Sequence, residues 1–431
     1  MKFSTEALEK IEKIMVSDFA IQIEGEDIQA RELEETLRTS IQEIAKSSYG
    51  KMLSLIDEHD YGVEIICQCG EKAKRVAKRE AQVLSVFGWS EYRRSCYKCA
   101  DCGHRWVALD EAQGLRAGQA TSLMSSLLGL SGVTVSFEEA KSQIKEYLQV
   151  DVSANTIRQE TKIIGEKQAE REQKWISQSQ DLDYLQERER LPKRPKRLYG
   201  SIDGAFVPLE KEWKEAKTVS WYQAGTRYGN KELHAQNISY YTSLKEAKPF
   251  GKLLWGTAVH HRVDQADELI FVCDGAHWIW NLVEKYFPQA VQIVDWYHAS
   301  QYLHAVAEAI PISEAEQDQW LANMKKILWD GEIKYIIQEC RTLLEKVGDS
   351  ARRLISYYTN NLERMRYADF RAKKYFIGSG TVESACKQIV SMRLKRSGAQ
   401  WTKYGASMTA KARTAWLSNS WETVTQLPIA D

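Results

Sequence analysis

"ELIFVCDGAHWIWNLVEKYF", residues 268–287, is the stretch on which the fold turns. It begins as a short, nearly continuous apolar run, the pattern of a strand buried on both faces. Asp274 ends that run, and an amphipathic helix follows. Residues 288–310, "PQAVQIVDWYHASQYLHAVAEAI", repeat the form: strand, then Asp295-Trp296-Tyr297-His298, then helix. Strands that end in an acid and lead into a helix describe an α/β sheet with polar groups at strand ends, where such folds place their sites.

Working upstream, "RLYGSIDGAFVPL" (197–209) reads as a strand that carries Asp203 among apolar residues. "TVSWYQAGTRY" (218–228) and "LLWGTAVHH" (253–261) also read as strands. Downstream, residues 305–377 are helical, with bulky anchors at Trp320, Leu328 and Trp329, and suggest an inserted subdomain. A Gly-Ser-Gly turn at 378–380 then opens a helix whose single acid is Glu383, with Arg393, Lys395 and Arg396 close behind.

The half of the chain before residue 198 has a different character. Residues 1–60 show helical periodicity at Leu8, Ile11, Ile14, Leu33, Leu37, Ile41 and Ile44, and are expected to pack against the rest of the chain or a second copy. Five of the eight cysteines lie between Cys67 and Cys102, in the segment 61–106. Cys67 and Cys69 sit at one end of a predicted hairpin and Cys99 and Cys102 at the other, each pair followed by a glycine. Four thiolates so placed suit structural Zn²⁺, which replaces the core that so small a unit cannot build. The Cys67-x-Cys69 spacing is one residue short of the usual knuckle, leaving Cys96 and His104 as alternative ligands; free buried cysteines in a small β unit are the bland reading.

Residues 107–165 are expected to be all-helical. Ser136-x-x-Glu139 is a capping-box pattern opening a helix to about Leu148, and a second helix starts near Ser153. This is either a helix-turn-helix, with Asn155, Arg158 and Gln159 reaching base edges, or an ordinary helical hairpin. Residues 166–197 read as a linker made of a polar, charge-rich helical segment (166–187) and the basic run RERLPKRPKR. The core then occupies 198–304, its insertion 305–377, and its last helices 378–420.

The chain has 431 residues and zero formal net charge, so partners cannot be argued from the total. Arg364 to Arg413, however, holds twelve Lys or Arg against two acids, a pattern read either as a solvated face or as a polyanion contact. No apolar run approaches a membrane span and the first residues lack a signal-peptide core, so a cytoplasmic protein without membrane contact is expected.

Asp203, Asp274 and Glu383 form the constellation with chemical content. Carboxylates gathered on rigid elements suit Mg²⁺ or Mn²⁺, and a pair of such ions can activate a nucleophilic oxygen and stabilise a leaving one in phosphodiester displacement. Each acid also has a plainer reading. Asp274 would cap the following helix, and Glu383 would favour its helix N-terminus through the macrodipole, whereas Asp203 is costly to bury unpaired.

The motifs "SIDGAFV", "EWKEAKTV", "VCDGAHWIW", "VDWYHA" and "GSGTVESACKQIVSMRLKRSGAQW", in that order and spacing, resemble bacterial insertion-sequence transposases of the Kra type, within the Mutator-like DDE superfamily. The resemblance runs from about residue 60 to 417. It implies a ribonuclease-H-like core with a helical insertion and makes Asp203, Asp274 and Glu383 the DDE triad. Asp295 and His298 then correspond to a supporting C/D-x-x-H signature, and the zinc ribbon and helix-turn-helix to the region recognising transposon ends. The implied activity is metal-dependent cleavage at those ends and transfer of the freed 3′-hydroxyls to target DNA, by an assembly of at least two subunits. Arg393, Lys395 and Arg396 would contact phosphates, with Trp401 stacking on a base or sitting in the core. A DNA-binding regulator without catalysis and a structure-selective nuclease without strand transfer are the competing expectations.

Overall fold

A computed structural model describes residues 3–22, 29–189, 195–226 and 233–427. Positions 190–194 of the basic run at 188–197 lie outside the described residues. The protein is mixed α+β with two sheets, and its chain divides into two compact units, Met1–Met124 with Ser142–Val152 and Ser125–Lys141 with Ser153–Asp431. Among the described residues no helix is long and apolar enough to cross a membrane.

The first unit opens with helices α1 (Thr5–Gln22) and α2 (Ala30–Asp60). Strands β1 (Glu64–Ile66), β2 (Lys72–Ser85), β3 (Gly88–Cys99) and β4 (Arg105–Val107) follow as one antiparallel sheet in chain order. Its long hairpin turns at Gly88, whose φ of +104° is one that side chains rarely adopt. The C-terminal part of α2 is fixed to β3. Asp57 is buried and accepts hydrogen bonds from the Ser95 N–H (2.9 Å) and hydroxyl (2.6 Å), and a Cβ on Gly50 would meet the Glu91 carbonyl at 1.9 Å. By contrast, Leu8, Ile11, Ile14, Leu33, Leu37, Ile41 and Ile44 are exposed, so within the described chain nothing covers the stripe that was expected to pack.

Helices α3 (Ala108–Gln113), α4 (Ser122–Thr134), α5 (Phe137–Leu148), α6 (Ala154–Gln178) and α7 (Leu182–Glu189) come next. The capping box forms as expected: the Ser136 N–H donates to Glu139 and the Glu139 N–H to Ser136. Ser153 caps α6 through the Thr156 N–H. Residues 166–178, read as part of a linker, are a correction. They continue α6 and bury Gln168, Glu172 and Trp175, because the polar side chains are paired: Glu172 takes a hydrogen bond from Gln168 and an ion pair from Lys411.

The second unit is built on a five-stranded sheet of β5 (Arg197–Pro208), β6 (Trp213–Thr226), β7 (Leu233–Ser243), β8 (Glu268–Cys273) and β9 (Val291–Val294), in the order β7-β6-β5-β8-β9. β6 runs antiparallel to both β5 and β7, whereas β8 and β9 run parallel to β5. Residues 253–261, expected as a strand, belong instead to helix α8 (Ala247–His260). Phe250, Leu253, Leu254, Thr257 and Ala258 are among its buried positions and follow a 3.6-residue repeat that a short apolar window hides. Helices α9 (His277–Tyr286) and α10 (Trp296–Ala309) follow β8 and β9 as expected.

Helices α11 (Glu314–Trp329), α12 (Ile333–Thr342), α13 (Leu344–Val347), α14 (Asp349–Asn360) and α15 (Tyr367–Ala372) make up the helical excursion. Leu328, Ile336, Leu354, Tyr358 and Tyr367 share one continuous core with Tyr199, Ile202, Phe271 and Ile293 of the sheet, so the excursion has no separate interior. Each such buried large side chain stabilises the unit by roughly 1.5–3 kcal/mol. A second cluster holds Val207, Ala216 and Tyr240 against Ile389, Leu394, Trp401 and Ala410. Helix α16 (Gly380–Cys386) leads into a π-helical continuation, Lys387–Leu394, that carries Ile389 and Leu394; Trp401 precedes α17 (Lys403–Leu417), which carries Ala410, and α18 (Trp421–Thr425) follows.

Candidate active site and metal centre

The four thiols of Cys67, Cys69, Cys99 and Cys102 meet at the end of the hairpin, all sulfurs within 4.8 Å of one another. Cys67 Sγ is 3.6 Å from Cys102 Sγ, and Cys69 Sγ is 3.6 Å from Cys99 Sγ. A tetrahedral Zn²⁺ with ~2.3 Å bonds sets its sulfurs about 3.8 Å apart, so the group could hold a metal ion such as zinc. Tight turns make this possible: Gly70 (φ +91°) donates its N–H to the Cys67 carbonyl, and the Cys99 N–H bonds to His104 O across Gly103 (φ +73°). The N–H of Cys102 draws the Cys99 thiol down to about 7, toward the thiolate that a metal requires. Cys96 and His104, the alternative ligands, are outside the cluster; Cys96 faces Ala77 and Val107 in the sheet, and His104 stacks on Trp106.

In the five-stranded sheet the acids fall into a row. Gly200 of β5 stands opposite Phe271 of β8, and continuing that register by three residues brings Asp203 level with Asp274. Cys273 stands opposite Val294, so one further residue brings Asp274 level with Asp295. The Asp295 N–H donates to the Cys273 carbonyl (2.8 Å), which keeps the row in register. Asp274 and Asp295 thus each lie one residue past the end of their strand, β8 and β9, and β8 adjoins β5, which carries Asp203. Asp203 lies within β5 rather than at its end. Burial is the main reason its pKa is raised, with Asp274 adding repulsion; the Gly204 N–H and the Cys386 thiol work the other way.

Asp274 accepts the Ala276 N–H (2.9 Å) in the turn before α9, whose N-cap is Ala276 and not the expected Asp274, and its own carbonyl accepts the Tyr357 hydroxyl. Gly275 is needed between them. Its φ is +90°, and a Cβ there would meet the Tyr357 oxygen at 2.4 Å.

Asp295 is fully buried and caps α10, taking the His298 N–H on one oxygen (2.7 Å) and the Ser379 N–H on the other. This ties the Gly-Ser-Gly turn to the end of β9 and places Glu383 beside the row. His298 Nδ1 then lies 3.8 Å from Asp295 Oδ1 and 3.7 Å from Glu383 Oε1, and the three side chains form a cluster within 4.8 Å. Asp295 is the chief cause of a raised His298 pKa, against the cost of burial. At 3.8 Å the contact is longer than a hydrogen bond, so we ascribe the effect to charge. Glu383 is half exposed and accepts the Ser379 hydroxyl at 3.2 Å. Asp203 and Asp274 do not join that tight cluster, which gathers the supporting pair Asp295 and His298 around Glu383 instead.

An open cavity of about 570 Å³ adjoins Asp274 and His298 and is walled by Tyr302, Arg352, Arg353 and Tyr357. Sequence reasoning did not find this wall. Arg352 and Arg353 sit on α14, where "DSARRLISYYTN" reads as an ordinary amphipathic helix, and only the shared core turns it toward the acids.

The predicted DNA contacts separate into exposed and buried residues. Asn155, Arg158 and Gln159 are exposed on α6, and Lys395 is exposed near Trp213. Arg396 is held by Glu139, whose carboxyl it keeps down at about 2. Arg393 corrects the expectation of a surface phosphate contact: it is 2% exposed, lies between Phe137 and Trp401, and donates through Nε to the Gly132 carbonyl (2.7 Å). Trp401 is a core residue whose indole N–H bonds to Leu394 O. Much of the basic run is likewise engaged inside the fold, Arg364 by Glu284, Lys411 by Glu172, and Arg413 by the carbonyls of Gln388 and Val133.

A comparison with curated proteins returns no match. A family model does match residues 24–424, nearly the whole chain, and on that ground the protein belongs to the uncharacterised protein family UPF0236.

Proposed function

We propose that the chain is a DNA transposase with a ribonuclease-H-like core, using Mg²⁺ or Mn²⁺ held by Asp203, Asp274 and Glu383. The observation that carries this reading is the row Asp203–Asp274–Asp295 on adjacent strands, with Glu383 brought against it from the far end of the chain. Support also comes from the sheet: three antiparallel strands followed by two parallel to the first, and a helical excursion before the last acid.

The donors are hard carboxylate oxygens, the type these cations select. Asp203 is partly buried beside a second anion, and a cation would relieve both the burial and the repulsion. When bound, such ions activate a water or 3′-hydroxyl and stabilise the leaving oxygen. The chain's own groups do the rest. Asp295 has both oxygens occupied by backbone amides, so it acts as a positioning residue for the turn that carries Glu383. His298 lies between Asp295 and Glu383 and, when protonated, holds the Glu383 carboxylate in place. Arg352 and Arg353 line the cavity beside Asp274 and provide a positive wall for a phosphodiester.

In the same reading zinc holds the ribbon, and α5 and α6 form the helix-turn-helix with Asn155, Arg158 and Gln159 toward the transposon ends. The uncovered apolar residues of α1 and α2 suit a second copy of the chain, and pairing two DNA ends requires at least a dimer. The enzyme would work on bacterial DNA in the cytoplasm, at the nucleoid.

Mg²⁺-dependent cleavage of DNA carrying the sequences that flank the gene, wild type beside Glu383→Gln, tests the proposal. Nicking at the ends and joining to a target by the wild type, with a variant that binds but does not cut, is the expected result. A variant that cuts as fast as the wild type sinks the assignment of Glu383. Cutting without joining would instead favour the nuclease, and binding without cutting the regulator.

A further inference from the structure

Arg393 has a feature its packing does not use. Its Nε is bonded and its guanidinium is sandwiched between rings, yet Nη2 is buried with no hydrogen-bond partner among the described residues. Leaving a charged donor so is costly unless a ligand completes it. Burial is the main cause that draws this side chain down to about 9, with Arg413 and Arg396 adding repulsion and Glu139 opposing them.

Arg393 lines a cavity of about 640 Å³ that lies wholly within the second unit, together with Arg158, Lys162, Tyr404 and Gln400. The volume is in the range of sites for small ligands. The N-terminal turns of α5 and α17 both open onto it, at Ser136–Phe137 and Thr402–Gly405, and each presents the positive end of a helix dipole. Arg158 forms no ion pair among the described residues, its guanidinium bonding only to the Asn155 side chain. Lys162 lies over the Tyr404 ring and 3.5 Å from Glu166. Two acids also line the cavity. Glu139 is neutralised by Arg396, while Glu210 is exposed at the rim.

We propose that this cavity is a phosphate subsite for a DNA strand, in which Arg158 and Lys162 hold a backbone phosphate over the buried charge of Arg393. Glu383 and Arg393 lie ten residues apart on one helical element, α16 and its π-helical continuation. A strand cut at the acids would thus be held by the same rigid element. The DNA source of the phosphate rests on the reading given under "Proposed function"; the anion chemistry of the cavity does not.

The test measures binding of a labelled 30-base-pair duplex to the full chain across a salt series. Thermal protection by inorganic phosphate is followed in parallel, for wild type, Arg158→Gln, Lys162→Gln, the double variant and Glu210→Gln. The first two side chains are on the surface of α6, so these variants fold whether or not Arg393→Gln does. We expect each cation lost to weaken duplex binding about 5- to 10-fold and to reduce the salt slope by about 1, with Glu210→Gln binding more tightly. Phosphate protection should vanish in the double variant. Unchanged duplex affinity and salt slope in the double variant would overturn the subsite. Protection by phosphate without any duplex binding by the wild type would overturn the DNA source and leave a free phosphate or nucleotide as the ligand. Loss of duplex binding in the cavity variants beside a Glu383→Gln that still cuts would support the subsite while the catalytic assignment falls.

Discussion

The thiol cluster and the acid row both gather groups that bind cations, but they are assembled by opposite means. Cys67, Cys69, Cys99 and Cys102 flank one hairpin, and two glycine turns and a ladder of local pairs bring them together. Asp203, Asp274, Asp295 and Glu383 come from four elements, and a parallel register and one buried N-cap align them. In the ribbon the four thiols, which could hold a metal, adjoin only a small core of Ala73, Tyr97 and Ala108. In the sheet the core comes first and the acids are carried on its edge. Metal should therefore be a folding requirement for the first and a chemical requirement for the second.

Removing metal breaks that comparison most directly. A strong zinc chelator, or Cys99→Ser, should unfold the ribbon. The cost should approach the roughly 10 kcal/mol that structural zinc supplies to comparable small units, read as loss of one bound metal per chain and of β signal in circular dichroism. A Mg²⁺ chelator should abolish activity and leave the melting curve unmoved. Coincident loss of both under either reagent would mean that the two sites are not independent.

Substitution at the acids should act on chemistry alone. Asp203→Asn is expected to lower cleavage by about 10³-fold, or ~4 kcal/mol of barrier, with melting unchanged or slightly raised. Stabilisation is expected because burial and Asp274 already disfavour the ionised form, and the amide removes that cost. A fall in melting temperature as large as a core cavity produces would show the row to be structural.

Acid separates the two regions by a different group in each. The ribbon loses metal as its thiolates protonate. In the second unit His260 and His261 are kept neutral, drawn down to about 4 and about 3 chiefly by burial; His260 stacks on Trp175, and His261 Nε2 meets the Tyr241 hydroxyl at 2.6 Å. Their folded pKa values lie below the unfolded one, so this stability is complete above pH 6.5 and is lost as pH falls toward 4. The loss is on the order of 3 kcal/mol for each histidine. His261→Gln should flatten that dependence without changing metal release.

Gly275→Ala should cost about 2 kcal/mol from its left-handed backbone and the Tyr357 contact, and should lower cleavage by displacing Asp274. Arg396→Gln stands at the other extreme. Its partner Glu139 is on the surface, and the melting temperature should not move.

How much of each site was legible follows from the same contrast. The cysteine pairs are read directly, because the ligands bracket a hairpin whose turns are visible as glycines; the structure had only to exclude Cys96 and His104. Asp203, Asp274, Asp295 and Glu383 were each found by their settings, but not their arrangement. Spacing along the chain carries no strand register, so the line of three acids and the closer pairing of Glu383 with His298 could not be foreseen. Arg352 and Arg353 left no local signal at all. The 253–261 error has a similar root, since a short apolar run buried on a helix looks like one buried in a strand.

Arg393 marks the division most clearly. Composition and periodicity determined that the chain has a cysteine hairpin, capped helices, alternating strands and helices, and acids at the strand edges, because each of these is written in neighbours a few residues apart. Whether a cation in "SMRLKRSG" faces water or is enclosed depends on which rings come to lie on either side of it. Phe137 and Trp401 come from distant segments, and only the packed fold put them there.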